Sequence, residues 1–202
     1  MAGFHQNRHY RRALPPTQAA ARRRYNHPAM REPLDPANPH ARASAAEVER
    51  YLGEHIPLAR ALGARVERYD ARELRVRAPL TPNLNHRDTA FGGSLSALAI
   101  LAGWARVTFD LRAEGERAHV VVQRAVVDFD APVESTFEVR IAAFGGADWA
   151  AFRRTLTRRR KARIAVQGTL LADGEPVARF DARYVALSGG AGDASSRPRS
   201  KR

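Results

Sequence analysis

The run Asn83-Leu84-Asn85-His86-Arg87-Asp88-Thr89-Ala90-Phe91-Gly92-Gly93-Ser94 concentrates the residues best suited to chemistry in this chain. Gly92 and Gly93 open a segment with almost no charge, so a ligand can come close to the backbone there. A helix starting at that point offers unpaired N–H groups and the positive end of its dipole. Both suit a carbonyl whose oxygen gains negative charge during reaction. Asn85 can add an amide donor without adding charge, and the Thr89 and Ser94 hydroxyls are further candidates. His86 and Asp88 are the titratable groups of the loop.

Each of these residues also has a plain structural reading. Asn83 and Asn85 suit turns. Asp88 suits the N-cap of an early helical turn. Thr89 and Ser94 could bond backbone at the helix start, and His86 could be an ordinary loop histidine. Gly92 and Gly93 could serve close packing, and Phe91 and Trp104 read as core.

The element that must position this run is the helix expected over about 93–111. Leu95, Leu98, Ala99, Ala102 and Val107 share one side, while Ala97, Ile100, Leu101 and Trp104 make it apolar nearly all round. Such a helix is buried. Upstream, Ser44-Ala45-Ala46-Glu47 has capping-box spacing and starts a helix near Ala45. That helix ends before Pro57, and a short turn over 58–62 closes at Gly63. Strands are expected over 65–69 and 74–78, then over 120–129, 137–143, 163–171 and 176–187, the last two joined at Asp173-Gly174. A short helix is expected over 149–156, followed by the exposed basic run Arg158-Arg159-Arg160-Lys161. One antiparallel sheet around one long apolar helix is an α+β architecture.

Length fits one domain with tails: 1–43, 44–188 and 189–202. The formal charge of +13 is unevenly spread, with +6 in residues 1–46 and +3 in 189–202, leaving +4 for the rest. Both tails read as disordered and solvated, and a nucleic-acid partner is not expected. There are no cysteines, which excludes disulfides, thiolate metal sites and cysteine nucleophiles. No metal site is expected, because no His/Asp/Glu cluster has ligand spacing. No secretory signal and no membrane span are read in the sequence, and a cytoplasmic location is expected.

The runs Ala78-Pro79-Leu80-Thr81-Pro82-Asn83-Leu84-Asn85-His86, Thr89-Ala90-Phe91-Gly92-Gly93-Ser94-Leu95 and Ala102-Gly103-Trp104, with weaker support from Ala131-Pro132-Val133, carry a resemblance. The region 47–188 resembles the hotdog fold. More closely, it resembles the thioesterase-like domain found at the C-terminus of some acetyltransferase-fused bacterial proteins and as stand-alone chains. The resemblance implies a homodimer or dimer of dimers with clefts at the interface. It implies acyl thioesters of coenzyme A or acyl carrier protein as substrates, and no cofactor beyond the phosphopantetheine that the substrate brings. It also implies a carbonyl held at the N-terminus of the central helix. Members of this group resemble malonyl-acyl-carrier-protein decarboxylases, which supply acetyl-carrier protein for priming fatty acid synthesis; the asparagine matching Asn85 is then the key residue.

The chain departs from the commoner small thioesterase pattern, in which the asparagine is followed six positions on by His-Gly-Gly and a carboxylate lies on the central helix. Phe91 stands in place of that histidine, and the available helix positions, 97–101, carry no acid; the first is Asp110. Hydrolysis needs a base or a carboxylate nucleophile, which would have to be Asp88, His86 or an acid of a partner subunit such as Asp128 or Asp130. Decarboxylation needs only donors around the thioester oxygen. The sequence therefore assigns Asn85, Thr89, Gly92 and Gly93 to catalysis and His86, Asp88, Phe91 and Ser94 to substrate contact. Malonyl-carrier-protein decarboxylation is favoured, thioester hydrolysis is the alternative, and a non-catalytic acyl-thioester-binding module is the third reading.

Overall fold

A computed structural model describes residues 42–188. Of the disordered tails expected over 1–43 and 189–202, residues 1–41 and 189–202 lie outside the described residues. Two residues of the expected tail are described. Ala43 is buried, and Arg42 reaches the far half of the central helix.

Helix α1 (Ala45–His55) starts with the expected capping box: Ser44 Oγ accepts the Glu47 N–H, and the Glu47 carboxylate takes the Ser44 N–H. It presents Val48, Tyr51 and Leu52 to the core. Helix α2 (Pro57–Ala61) follows, with proline in its first turn. Strands β1 (Arg65–Tyr69) and β2 (Glu73–Ala78) pair antiparallel. A 3-10 turn over Thr81–Asn83 leads into the loop and then helix α3 (Gly92–Ala113). After it come β3 (Ala118–Phe129), β4 (Phe137–Ala142), helix α4 (Gly146–Arg159), β5 (Lys161–Ala172) and β6 (Glu175–Ser188). Helix α4 is longer than expected because it begins at Gly146 and buries Phe152 and Leu156. Asp173 and Gly174 both take positive φ, as the tight turn between β5 and β6 requires.

All pairings are antiparallel, in the spatial order β1-β2-β4-β5-β6-β3. β3 therefore crosses from the middle of the chain to the far edge of the sheet. Ala178, Phe180, Ala182, Tyr184 and Ala186 turn inward as expected and are buried. Helix α3 lies across that inner face with Leu98, Ala99, Ala102, Ala105 and Val107 fully buried. By length and composition it could span a bilayer, but 72% of its apolar window is buried inside the fold, so it is the core helix. Its distance from the sheet is set at Gly103. A Cβ there would lie 2.6 Å from the Tyr184 hydroxyl, which donates to Ile100 O at 2.7 Å.

The two sheet edges differ. β1 is partly covered by α1, whose Glu49 accepts the Val66 N–H at 2.8 Å and pairs with Arg65. β3 presents Val121, Val122 and Phe129 exposed along a 12-residue edge.

Candidate active site

Helix α3 starts at Gly92 with Phe91 as N-cap, and no side chain caps it. The Ser94 and Leu95 N–H groups both turn back to Phe91 O, at 2.8 and 3.2 Å. The Gly92 and Gly93 N–H groups precede them in the first turn, where a helix has no backbone acceptor of its own. Asp88 is not the N-cap: it is exposed three residues earlier at φ +60. The loop there closes on itself, with Asn85 N–H donating to Thr89 O at 2.8 Å, and the helix cannot start until that closure ends.

Asn85 organises this loop. Its Oδ1 accepts the Arg87 N–H at 2.7 Å and the Thr89 N–H at 3.4 Å. Its amide donates to Thr89 Oγ1 at 2.8 Å and to Ala90 O at 3.4 Å. The Thr89 oxygen is thus an acceptor, and its own proton is left to donate elsewhere. Asn83 is structural: it is buried, and its amide ties Leu62 O to Pro79 O at 2.9 and 2.8 Å. Its backbone carbonyl also accepts the Phe91 N–H at 2.7 Å. On the other flank, Ala90 N–H donates to Val133 O at 2.7 Å, which ties the loop to the segment after β3.

The space beside the two glycines is not open. The Phe91 ring folds over Gly93 so closely that a Cβ there would clash with it, and the Phe129 ring stands 3.5 Å from where a Gly92 Cβ would be. Phe91, read as core from the sequence, is 57% exposed, and Phe129 is 50% exposed. A side chain at the N-cap projects away from the helix barrel, and here it lies over the first turn. His86 is exposed and accepts a long contact from Arg87 Nε at 3.4 Å; Ser94 is half-buried. The Ser96 hydroxyl, which the sequence reading passed over, donates to Gly92 O at 2.9 Å.

A family model described as "Putative thioesterase (yiiD_Cterm)" matches residues 45–188. The chain belongs to this thioesterase family. A Chlorobaculum tepidum protein of unknown function superposes with a TM-score of 0.69 at 27% identity, covering 73% of this chain and 99% of that one. A Shewanella oneidensis "putative thioesterase" gives 0.64 at 28% identity, covering 71% and 96%. A Pseudomonas aeruginosa protein named as a "probable thioesterase" gives 0.62 at 24% identity, covering 74% and 99%. The architecture is the hotdog fold.

In this hotdog domain the first acid of the central helix lies far from its glycines. Asp110 is eighteen residues beyond Gly92, about 27 Å along the axis at a rise of about 1.5 Å per residue. It is buried and engaged: Arg42 donates at 2.7 Å, the Tyr69 hydroxyl at 2.8 Å, and Arg106 Nε lies 2.9 Å away as an ion pair. The Arg106 guanidinium also donates to Asp70 O at 2.9 Å. Burial beside the Asp110 charge pushes the Tyr69 hydroxyl well above its ordinary range. Asp128 pairs across with Arg179 on the outer row of the sheet, whereas Phe129 pairs with inward-facing Ala178. Among the described residues no group of His, Cys, Asp and Glu could hold a metal ion.

Phe129 is the site residue that sequence reasoning missed. The signal was present in the alternation Ala125, Val127, Phe129, which puts an aromatic ring at the strand end on the inner face.

Proposed function

We propose that this hotdog protein decarboxylates malonyl thioesters, with malonyl-acyl carrier protein as substrate and acetyl-carrier protein as product. The observation that carries the reading is a glycine helix start with unpaired N–H donors and no carboxylate on the helix within reach. Loss of carbon dioxide breaks the bond between the malonyl carboxylate carbon and the methylene. The electron pair moves into an enolate whose charge rests on the thioester oxygen, and a proton from water then completes the acetyl group. The Gly92 and Gly93 N–H groups and the Thr89 hydroxyl stabilise that oxygen, and such donors contribute most where the charge develops. Asn85 makes Thr89 Oγ1 an acceptor and so leaves the hydroxyl proton to donate, and the amide proton now resting on Ala90 O at 3.4 Å is the one Asn85 can redirect. The aromatic rings of Phe91 and Phe129 leave the malonyl carboxylate poorly solvated and the departing carbon dioxide well accommodated.

The working unit is a homodimer formed through β3. An exposed strand edge of this length bearing Val121 and Val122 is a template for pairing, and antiparallel pairing with a second copy is compatible with two-fold symmetry. Hydrolysis of an acyl thioester is the second reading, favoured by the descriptions of the related proteins and by the exposed Asp88 and His86 beside the loop.

Two variants test the site. Thr89→Val should lower turnover roughly 10²-fold, the cost typical of removing one such donor. Asn85→Ala should abolish turnover while the dimer persists in sedimentation. Normal turnover in both would sink the assignment.

A further inference from the structure

Two phenylalanines from distant parts of the chain meet the first turn of α3, and their placement limits what can lie beside it. Phe91 belongs to the helix start itself. Its N–H is fixed to Asn83 O at 2.7 Å and its carbonyl receives Ser94 and Leu95. Phe129 arrives from the last position of β3. Its Cζ, Cε1 and Cε2 are the three atoms nearest to where a Gly92 Cβ would stand, at 3.5, 3.8 and 3.8 Å, so the ring approaches tip first. The backbone behind that ring is pinned. Phe129 pairs with Ala178, and the next two N–H groups, of Asp130 and Ala131, both donate to Val177 O at 2.8 and 3.2 Å. The wall therefore cannot retreat as a strand. Only the side chain, half exposed, can turn.

We infer that Phe129 sets the length of the acyl group, admitting two- and three-carbon units and excluding longer chains. The inference rests on the thioester reading above. A carbonyl oxygen bound at the Gly92 and Gly93 N–H groups puts the first acyl carbons against these glycines. Beside them the Phe129 ring stands against Gly92 and the Phe91 ring against Gly93. Phe129 is the element to vary, because it comes from a strand outside the helix start that supplies the donors. Shortening Phe129 opens room for several methylenes, and each methylene that finds apolar cover gains about fourfold in affinity.

The test is calorimetric binding, to the full chain, of carrier protein loaded with unreactive acyl analogues that keep the carbonyl but separate it from the sulfur by a methylene, carrying two-, six- and ten-carbon groups. The wild type should bind the two-carbon analogue at least as tightly as the six-carbon one. Phe129→Ala should shift that preference toward six carbons by tenfold or more, and Phe129→Trp should shift it the other way. Phe129→Leu gives the same sign as alanine with a smaller change, and carries the test if alanine at this edge position does not fold. A chain-length profile unchanged in folded variants, or a wild type that already favours the longer chains, overturns the inference and leaves the thioester reading standing. A wild type that binds none of the analogues overturns the thioester reading and the inference with it.

Discussion

Asp110→Asn is the substitution whose cost follows most directly from the structure. Asp110 is 5% exposed and Arg106, one turn before it, is 1% exposed. Asparagine keeps the volume and removes the charge that Arg106 faces at 2.9 Å. Breaking one partner of a buried pair leaves an uncompensated charge and typically costs about 3–5 kcal/mol. Arg42 adds little to this, because its side chain is 36% exposed and a solvated partner contributes no more than about 1 kcal/mol. At about 2–4 °C per kcal/mol for a domain of this size, the midpoint should fall by about 6–20 °C. Thermal and urea unfolding read the effect, with an unchanged urea slope showing that the unfolded reference is the same. Turnover per folded molecule should stay near wild type, since Asp110 binds no substrate. A loss below about 1 kcal/mol would refute the clasp as a buried charge network. A stable but inactive variant would show that the acid takes part in the chemistry after all.

Gly103→Ala should destabilise the fold by about 1–3 kcal/mol, because its Cβ meets the Tyr184 hydroxyl at 2.6 Å and displaces a buried ring. Gly146→Ala, with nothing within 4 Å, is the control and should be neutral or stabilising in the same melt. Burial holds the Tyr69 and Tyr184 hydroxyls above the ordinary tyrosine value of 10. The unfolded chain therefore releases these protons first, so stability is fully present below about pH 10 and falls as pH rises beyond it. Urea titrations from pH 8 to 11 should show that fall, and Tyr69→Phe should reduce its slope. Ser44→Ala removes the hydroxyl that caps the Glu47 N–H and should cost about 1 kcal/mol in the same assay.

The elements were legible because their signals were local. Ser44 and Glu47 announced α1, Asp173-Gly174 announced the last hairpin, and an apolar surface all round announced α3 as the core helix. The position of β3 at the far edge of the sheet was not legible, because strand order depends on which faces meet and not on any local pattern. Asn83 was readable as structural, and its two carbonyl partners bear this out. Asn85 was readable as a polar device, but its bond to Thr89 required the loop to be seen closed. Phe91 was given a core reading beside its assignment to substrate contact, and its exposure removes only the core reading, because position next to an apolar helix says nothing about direction. Asp110 was set aside for its distance along the helix, while its partner Arg42 was assigned to a tail, 68 residues away in sequence.

The measurement that tests the central reading most directly is intact mass spectrometry of malonyl-acyl carrier protein incubated with the purified chain. The account predicts a shift corresponding to loss of carbon dioxide, giving acetyl-carrier protein, with the shift absent for Asn85→Ala. Release of the free carrier thiol, with no acetyl species at any time point, would contradict it.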